Sequence, residues 1–306
     1  MKLEENIHYM GWPDCLRLSN SETEIVIATV IGPRILRFGF IGGQNIFYLS
    51  AEDQGKRGGD NWRIYGGHRL WLAPEAIPGS YAPDNDPVTY RYDQQILKIT
   101  QSKDPGTGMV KEMEISLSPD SNQVTVLHRL INQNLRDVKL SAWALSALAP
   151  GGRAIIPQEP FGEGDAHLLP TRSLALWSYT GMNDPRWIWG NKYIQAKQDG
   201  SLPAEQKIGI MNKQGWAAYC LNDDVLIKQF RFDPLAEYPD FGSNNEIYIN
   251  GKFLEMETLG PWMNIPPQGK TEQVEHWQLF KGRVGITDEY IDLEILPRIT
   301  SAGLSY

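Results

Sequence analysis

Apolar residues fall on every second position through much of the chain. The stretches 24–31 (EIVIATVI), 95–101 (QILKITQ), 110–117 (VKEMEISL) and 123–131 (QVTVLHRLI) all read this way, as strands with one buried face do. Further β-rich runs lie at 34–40, 45–49, 138–148, 207–211, 216–221, 225–232, 246–249, 252–259 and 272–280. Clusters of Gly, Pro, Asn and Asp separate them, among them Gly32-Pro33 and Gly42-Gly43. So many closely spaced strands without helices between them predict an all-β fold, a large antiparallel β-sandwich or barrel, and not a βαβ architecture. One helix is expected, over 288–296 (DEYIDLEIL), with Asp288 and Glu289 in its first turn and Pro297 as its stop. Two tracts, 50–87 and 158–206, lack either period; irregular segments of that length are commonly functional or hold small elements. No repeat and no linker interrupts the pattern, so residues 1–306 are expected to form a single domain.

Composition narrows the partners. The net charge of −8 argues against nucleic acid and against an anionic membrane surface, both of which select basic proteins. No apolar run is long enough to span a bilayer, and the segment MKLEENIHYM has no signal-peptide character, so a cytoplasmic location is expected. Cys15 and Cys220 form neither a disulfide framework nor a metal-ligand spacing. Ten tryptophans are the notable excess. Each is first of all a large core-forming side chain, but Trp faces also stack on the C–H faces of sugar rings.

Two stretches concentrate chemistry. DNWRIYGGHRLWLAPE (60–75) brings Trp62, Tyr65, His68, Arg69, Trp71 and Glu75 together. Planar donors and a carboxylate beside aromatic rings suit a hydroxylated ligand; a packed strand whose His and Arg are satisfied by backbone or carboxylates is the plainer reading. In GKFLEMETLGP (251–261), a strand would put Phe253, Glu255, Glu257 and Leu259 on one face. Two carboxylates so close raise each other's pKa, which can make one a general base; two solvated surface glutamates are the alternative. The Gly-rich stretch GEGDAH (162–167) is not set between a strand and a helix and is discounted as a phosphate site. The five histidines show no metal-ligand spacing, so neither a metal nor another cofactor is expected.

These segments carry a family resemblance. ATVIGPRILRFGFIGGQNIFYL resembles the opening hairpin of the galactose mutarotase-like superfamily, which contains the aldose 1-epimerases. YGGHRLW resembles its His-Gly-Gly segment before an aromatic residue, LEMETLGP its LExQxxP strand, and PPQGKTEQVEHWQLF its PGExY turn and last strand. The chain is most similar to a subgroup sharing GGHRLWxAPE. The resemblance implies the galactose mutarotase-like supersandwich with few short helices, and Glu255 as the base that takes the anomeric proton. Glu257 stands where the family has Gln. The family's mid-chain acid His has no counterpart in LSAWALSALAPGG (140–152), where Trp143 lies near its place. Arg34 matches the family's sugar-binding arginine poorly, and Arg69 is its substitute. The His of Gly-Gly-His is displaced from the family's order.

Three functions follow as expectations. The first is a cofactor-free aldose 1-epimerase, with Glu255 as base, His68 as acid, and Arg69, Trp71, Glu75, Trp62 and Glu257 holding a small carbohydrate. The second is a carbohydrate-binding protein without catalysis on the same scaffold. The third is a lyase or glycosidase related to such sandwiches.

Overall fold

The computed structural model describes residues 1–159, 162 and 168–301. The Gly-rich stretch 162–167 thus falls, apart from Gly162, outside the described residues. Two large antiparallel sheets face each other. The first runs, in spatial order, β1 (Lys2–Tyr9), β2 (Trp12–Ser19), β3 (Thr23–Ile27), β4 (Arg34–Phe40), β5 (His68–Ala73), β10 (Val138–Leu148), β19 (Leu254–Leu259), β18 (Asn245–Ile249), β15 (Gln206–Ile210) and β12 (Leu174–Leu176), with β20 (Met263–Ile265) also paired to β10. The second runs β13 (Trp187–Trp189), β14 (Tyr193–Lys197), β11 (Arg153–Pro157), β16 (Trp216–Leu221), β17 (Asp224–Phe230), β21 (Lys270–Lys281), β9 (Gln123–Asn132), β8 (Met109–Leu117), β7 (Ile96–Thr100) and β6 (Thr89–Asp93). This is the antiparallel sandwich that the alternation predicts.

Where the pattern misleads, the reason is local. The apolar run 45–49 makes only isolated bridges, Phe47 to Leu148 and Leu49 to Gly66, because Asn45 folds its side chain back onto the backbone of Leu36 and Phe38. The edge strands β1 and β6 (KLEENIHY, TYRYD) have largely exposed side chains and so no alternation to read. The tract 158–206 contains the short strands β12, β13 and β14. Pro297 does not end the C-terminal helix: α1 (Asp288–Glu294) stops at Ile295, and Pro297 is the second residue of α2 (Leu296–Ser301), a first-turn position that needs no N–H. Ile291 and Ile295 of this pair cover the outer face of the second sheet at Ile155, Ala218 and Ile227.

The inner faces of both sheets bury one continuous apolar layer, from Leu16 and Phe38 to Met256 and Leu279. A polar network is set into it. Lys228 Nζ lies 2.7 Å from Glu275 Oε1, and both side chains are fully buried. Glu275 also accepts from Thr258 Oγ1 (2.6 Å) and Trp277 Nε1 (2.7 Å). Burial alone would raise the Glu275 carboxyl, but Lys228 and His128 bring it below the usual range, so the pair is ionic. Removing one partner strands the other charge in the core. Glu275→Gln is therefore expected to cost about 3 kcal/mol of unfolding free energy, and adding Lys228→Met to recover most of that loss. Urea unfolding of the two variants checks this; a double variant no more stable than the single one contradicts it.

Candidate active site

The segment 65–67 fixes which way β5 faces. Tyr65, Gly66 and Gly67 all have positive φ (49°, 91° and 73°). A Cβ on Gly66 would stand 2.1 Å from the Tyr48 carbonyl oxygen, and one on Gly67 2.2 Å from that of Ile35, so only glycine fits. Arg34, buried and paired with Asp84 at 2.6 Å, donates to the Gly66 carbonyl and so clamps this turn. Its role is structural.

From this turn, β5 enters the sheet with alternate residues on opposite faces. Leu70 and Leu72 point into the layer between the sheets, and His68 goes with them. Arg69 and Trp71 point away from it. The register carries the outward face across the sheet: Arg69 pairs with Leu145, and Leu145 with Glu257. Trp71 pairs with Trp143. Glu257 pairs in turn with Glu246, and Glu255 with Tyr248, next to Lys207. A cleft of about 420 Å³ opens over this face, within the size range of small-ligand sites.

Six of the residues expected from sequence line this one cleft: Trp62, Arg69, Trp71, Glu75, Glu255 and Glu257. His68 does not. It is fully buried on the other face, with Nδ1 2.8 Å from Ser146 Oγ and Nε2 2.6 Å from His128 Nε2. His128 Nδ1 faces the Gln273 carbonyl at 2.9 Å and must donate to it, so His128 Nε2 accepts and His68 Nε2–H donates. Burial, then the neighbouring His128 and Lys228, hold the His68 imidazole well below its ordinary pKa. The displacement of His68 from the cleft is the correction that strand alternation imposes on the expected acid.

His68, His128 and Glu275 also bring potential metal-ligand atoms within 4.8 Å of one another. Their lone pairs and protons are already matched, the histidines by each other, Ser146 and the Gln273 carbonyl, and Glu275 by Lys228, Thr258 and Trp277. The set does not fit a resident metal ion.

The cleft floor is ionic. Arg69 lies 2.7 Å from Glu255 Oε1 and 4.5 Å over the Trp71 ring. Glu257 Oε2 accepts from Trp143 Nε1 (2.9 Å) and from Lys207 (3.1 Å), which also pairs with Glu246 (2.8 Å). Lys207 is held between the Trp143 and Trp177 rings at 4.5 and 4.7 Å. Burial would lower its ammonium pKa, but Glu257 and Glu246 outweigh that and raise it. Two buried carboxyls against one cation cannot both ionise freely. Burial raises Glu257, with Glu255 adding to it against Lys207; Glu246 is raised further, by burial above all. This pair therefore holds a proton. The side wall is aromatic: Trp62, Trp71 and Tyr81 meet edge-to-face or tilted, with centroids 5.1 to 5.8 Å apart. Tyr81 donates to Glu75 at 2.5 Å. Lys207, Glu246, Trp177, Tyr179, Glu205 and Tyr248 are not among the site residues expected from sequence; for Lys207 and Glu246 the signal is a charge at the head of each of the strand runs KIGIM and EIYI.

No protein-family model and no curated protein matches the chain. Solved structures do. A galactose mutarotase-like protein from Lactobacillus casei ATCC 334 superposes with a TM-score of 0.56 at 10% identity, over 87% of this chain and 100% of that one. One from Clostridium acetobutylicum gives 0.55 at 13%, over 92% and 98%. The fold is galactose mutarotase-like. A TPR-domain containing protein from Parabacteroides distasonis ATCC 8503 gives 0.60 at 14%, over 89% of this chain; this chain spans about half (48%) of its length. On this mutarotase-like sandwich the cleft occupies the outward face of the first sheet.

Removing Lys207 tests the proton-holding pair. Lys207→Gln is expected to cost about 3 kcal/mol near pH 7, because Glu246 and Glu257 lose their shared cation. Folding must then draw in a second proton. The folded carboxyls titrate above the unfolded value, so the variant's deficit narrows as pH falls toward about 4.5. Unfolding free energies of both proteins across that range check the sign; a deficit that widens as pH falls contradicts it.

Proposed function

We propose that the protein binds a monosaccharide in this cleft and interconverts its anomers. The observation that carries the reading is the floor: two carboxyl groups in adjacent same-face positions, Glu255 ion-paired with Arg69, and Glu257 set against a Lys207 that it shares with the buried Glu246. Neighbouring acids in such different surroundings divide into a base and an acid. Glu255 takes the proton of the anomeric hydroxyl. The C1–O5 bond breaks, and its electron pair leaves on O5, which receives through Glu257 the proton that the Glu246–Glu257 pair holds. Rotation about C1–C2 and the reverse steps close the other anomer. The mutarotase-like fold supports the choice of sugar, as do the rings of Trp62, Trp71 and Tyr81, which offer apolar faces beside polar groups. His68 has no part in this reading, since it faces the layer between the sheets. No cofactor is needed.

A second reading has its own support. Both Glu255 and Glu257 are engaged by cations, so the cleft also suits a binding protein in which neither carboxyl turns over. One experiment separates the two. In NMR exchange spectroscopy, wild-type protein is expected to speed anomer exchange of its sugar, and Glu255→Gln to slow it by at least about a hundred-fold, the usual scale for a lost acid or base. Sugar-induced thermal stabilisation without exchange favours binding alone, and an unchanged rate in Glu255→Gln removes the assignment.

A further inference from the structure

The charges of the cleft are unevenly matched. Its lining holds four carboxylic residues, Glu75, Glu205, Glu255 and Glu257, against two cations, Arg69 and Lys207. Both cations already face carboxyls: Arg69 faces Glu255, and Lys207 faces Glu257 and Glu246. Glu75 and Glu205 stand at the exposed rim, and among the described residues neither has an ion-pair partner. Each receives one phenolic hydrogen bond, from Tyr81 at 2.5 Å and from Tyr248 at 2.8 Å. A phenol has one proton to give, so each carboxylate keeps a second oxygen free to accept. Their fields converge inside the cleft: burial pushes the Tyr179 hydroxyl up to about 12, with Glu75, Glu257 and Glu205 adding to it and Lys207 opposing.

An anionic sugar meets two obstacles here. Its phosphate or carboxylate must share Arg69 with Glu255 or Lys207 with Glu257 and Glu246, at close range to those carboxyls, and it must also pass the two rim carboxylates. A ligand that brings its own cation meets neither. It gains two charge-assisted acceptors, and the ring wall accommodates its apolar face.

We propose that the preferred ligand is a monosaccharide bearing a protonated amino group, held by Glu75 and Glu205 at the cleft rim. The proposal rests on the reading of the cleft as a sugar site, and names the class of sugar. It also makes hexose phosphates and hexuronates poor ligands.

Isothermal titration at about pH 6.5, where such an amine is protonated, tests it. The probes are glucosamine, galactosamine and mannosamine, their parent hexoses, glucose 6-phosphate and glucuronate. At least one amino sugar is expected to bind about ten-fold more tightly than its parent hexose, and the two anions more weakly than glucose. In the double variant Glu75→Gln, Glu205→Gln the ten-fold ratio is expected to fall to about two-fold. Raising the salt is expected to narrow the ratio in the wild type. Parent hexoses binding as tightly as the amino sugars, or glucose 6-phosphate binding best, overturns the proposal and leaves the sugar site standing. An amine preference that survives the double variant overturns the role of the two rim carboxylates. Failure of every probe to bind overturns both the proposal and the sugar reading beneath it.

Discussion

Strand alternation decides which side chains of this protein reach the cleft. In β5, β10 and β19 successive side chains serve two different environments. One set closes the layer between the sheets, and the other builds the floor of the cleft. The glycine turn before β5 sets the phase, because Tyr65, Gly66 and Gly67 take left-handed conformations against the Tyr48 and Ile35 carbonyls. A slip of one residue would put Arg69 in the core and His68 in the cleft. Neighbours in sequence, these two side chains therefore have unrelated roles.

Each face also handles buried charge in its own way. Between the sheets, Lys228 and Glu275 are balanced one to one, and the two histidines complete a chain of hydrogen bonds that leaves nothing over for a ligand. Under the cleft the balance is unequal. Lys207 faces both Glu246 and Glu257, so one proton must be retained there. The first arrangement supports the packing of the core; the second raises the pKa of two carboxyls beneath the cleft.

Much of this was legible in the sequence. Period-two alternation gave the sandwich, and the face shared by Glu255 and Glu257 followed from their spacing. The grouping of Trp62, Arg69, Trp71 and Glu75 was visible as a mixture of rings and charges that a core strand has no use for. The position of His68 was not, because the phase of β5 depends on backbone contacts between Gly66, Gly67 and strands distant in sequence. Lys207 and Glu246 were hidden for a related reason. Each is a lone charge at the head of a short apolar run, and only the pairing of β15, β18 and β19 shows that the charges answer one another. The edge strands were missed because their exposed side chains carry no pattern.

On the proposed function, a bound sugar meets the outward face of the first sheet. Saturation-transfer NMR on a sugar that binds the wild-type protein tests this most directly, because it reads contact between protein and the sugar's C–H protons. Trp71→Leu is expected to lose most of the transfer, while folded His68→Gln keeps it. Transfer that survives in Trp71→Leu and disappears in folded His68→Gln would put the ligand on the other face.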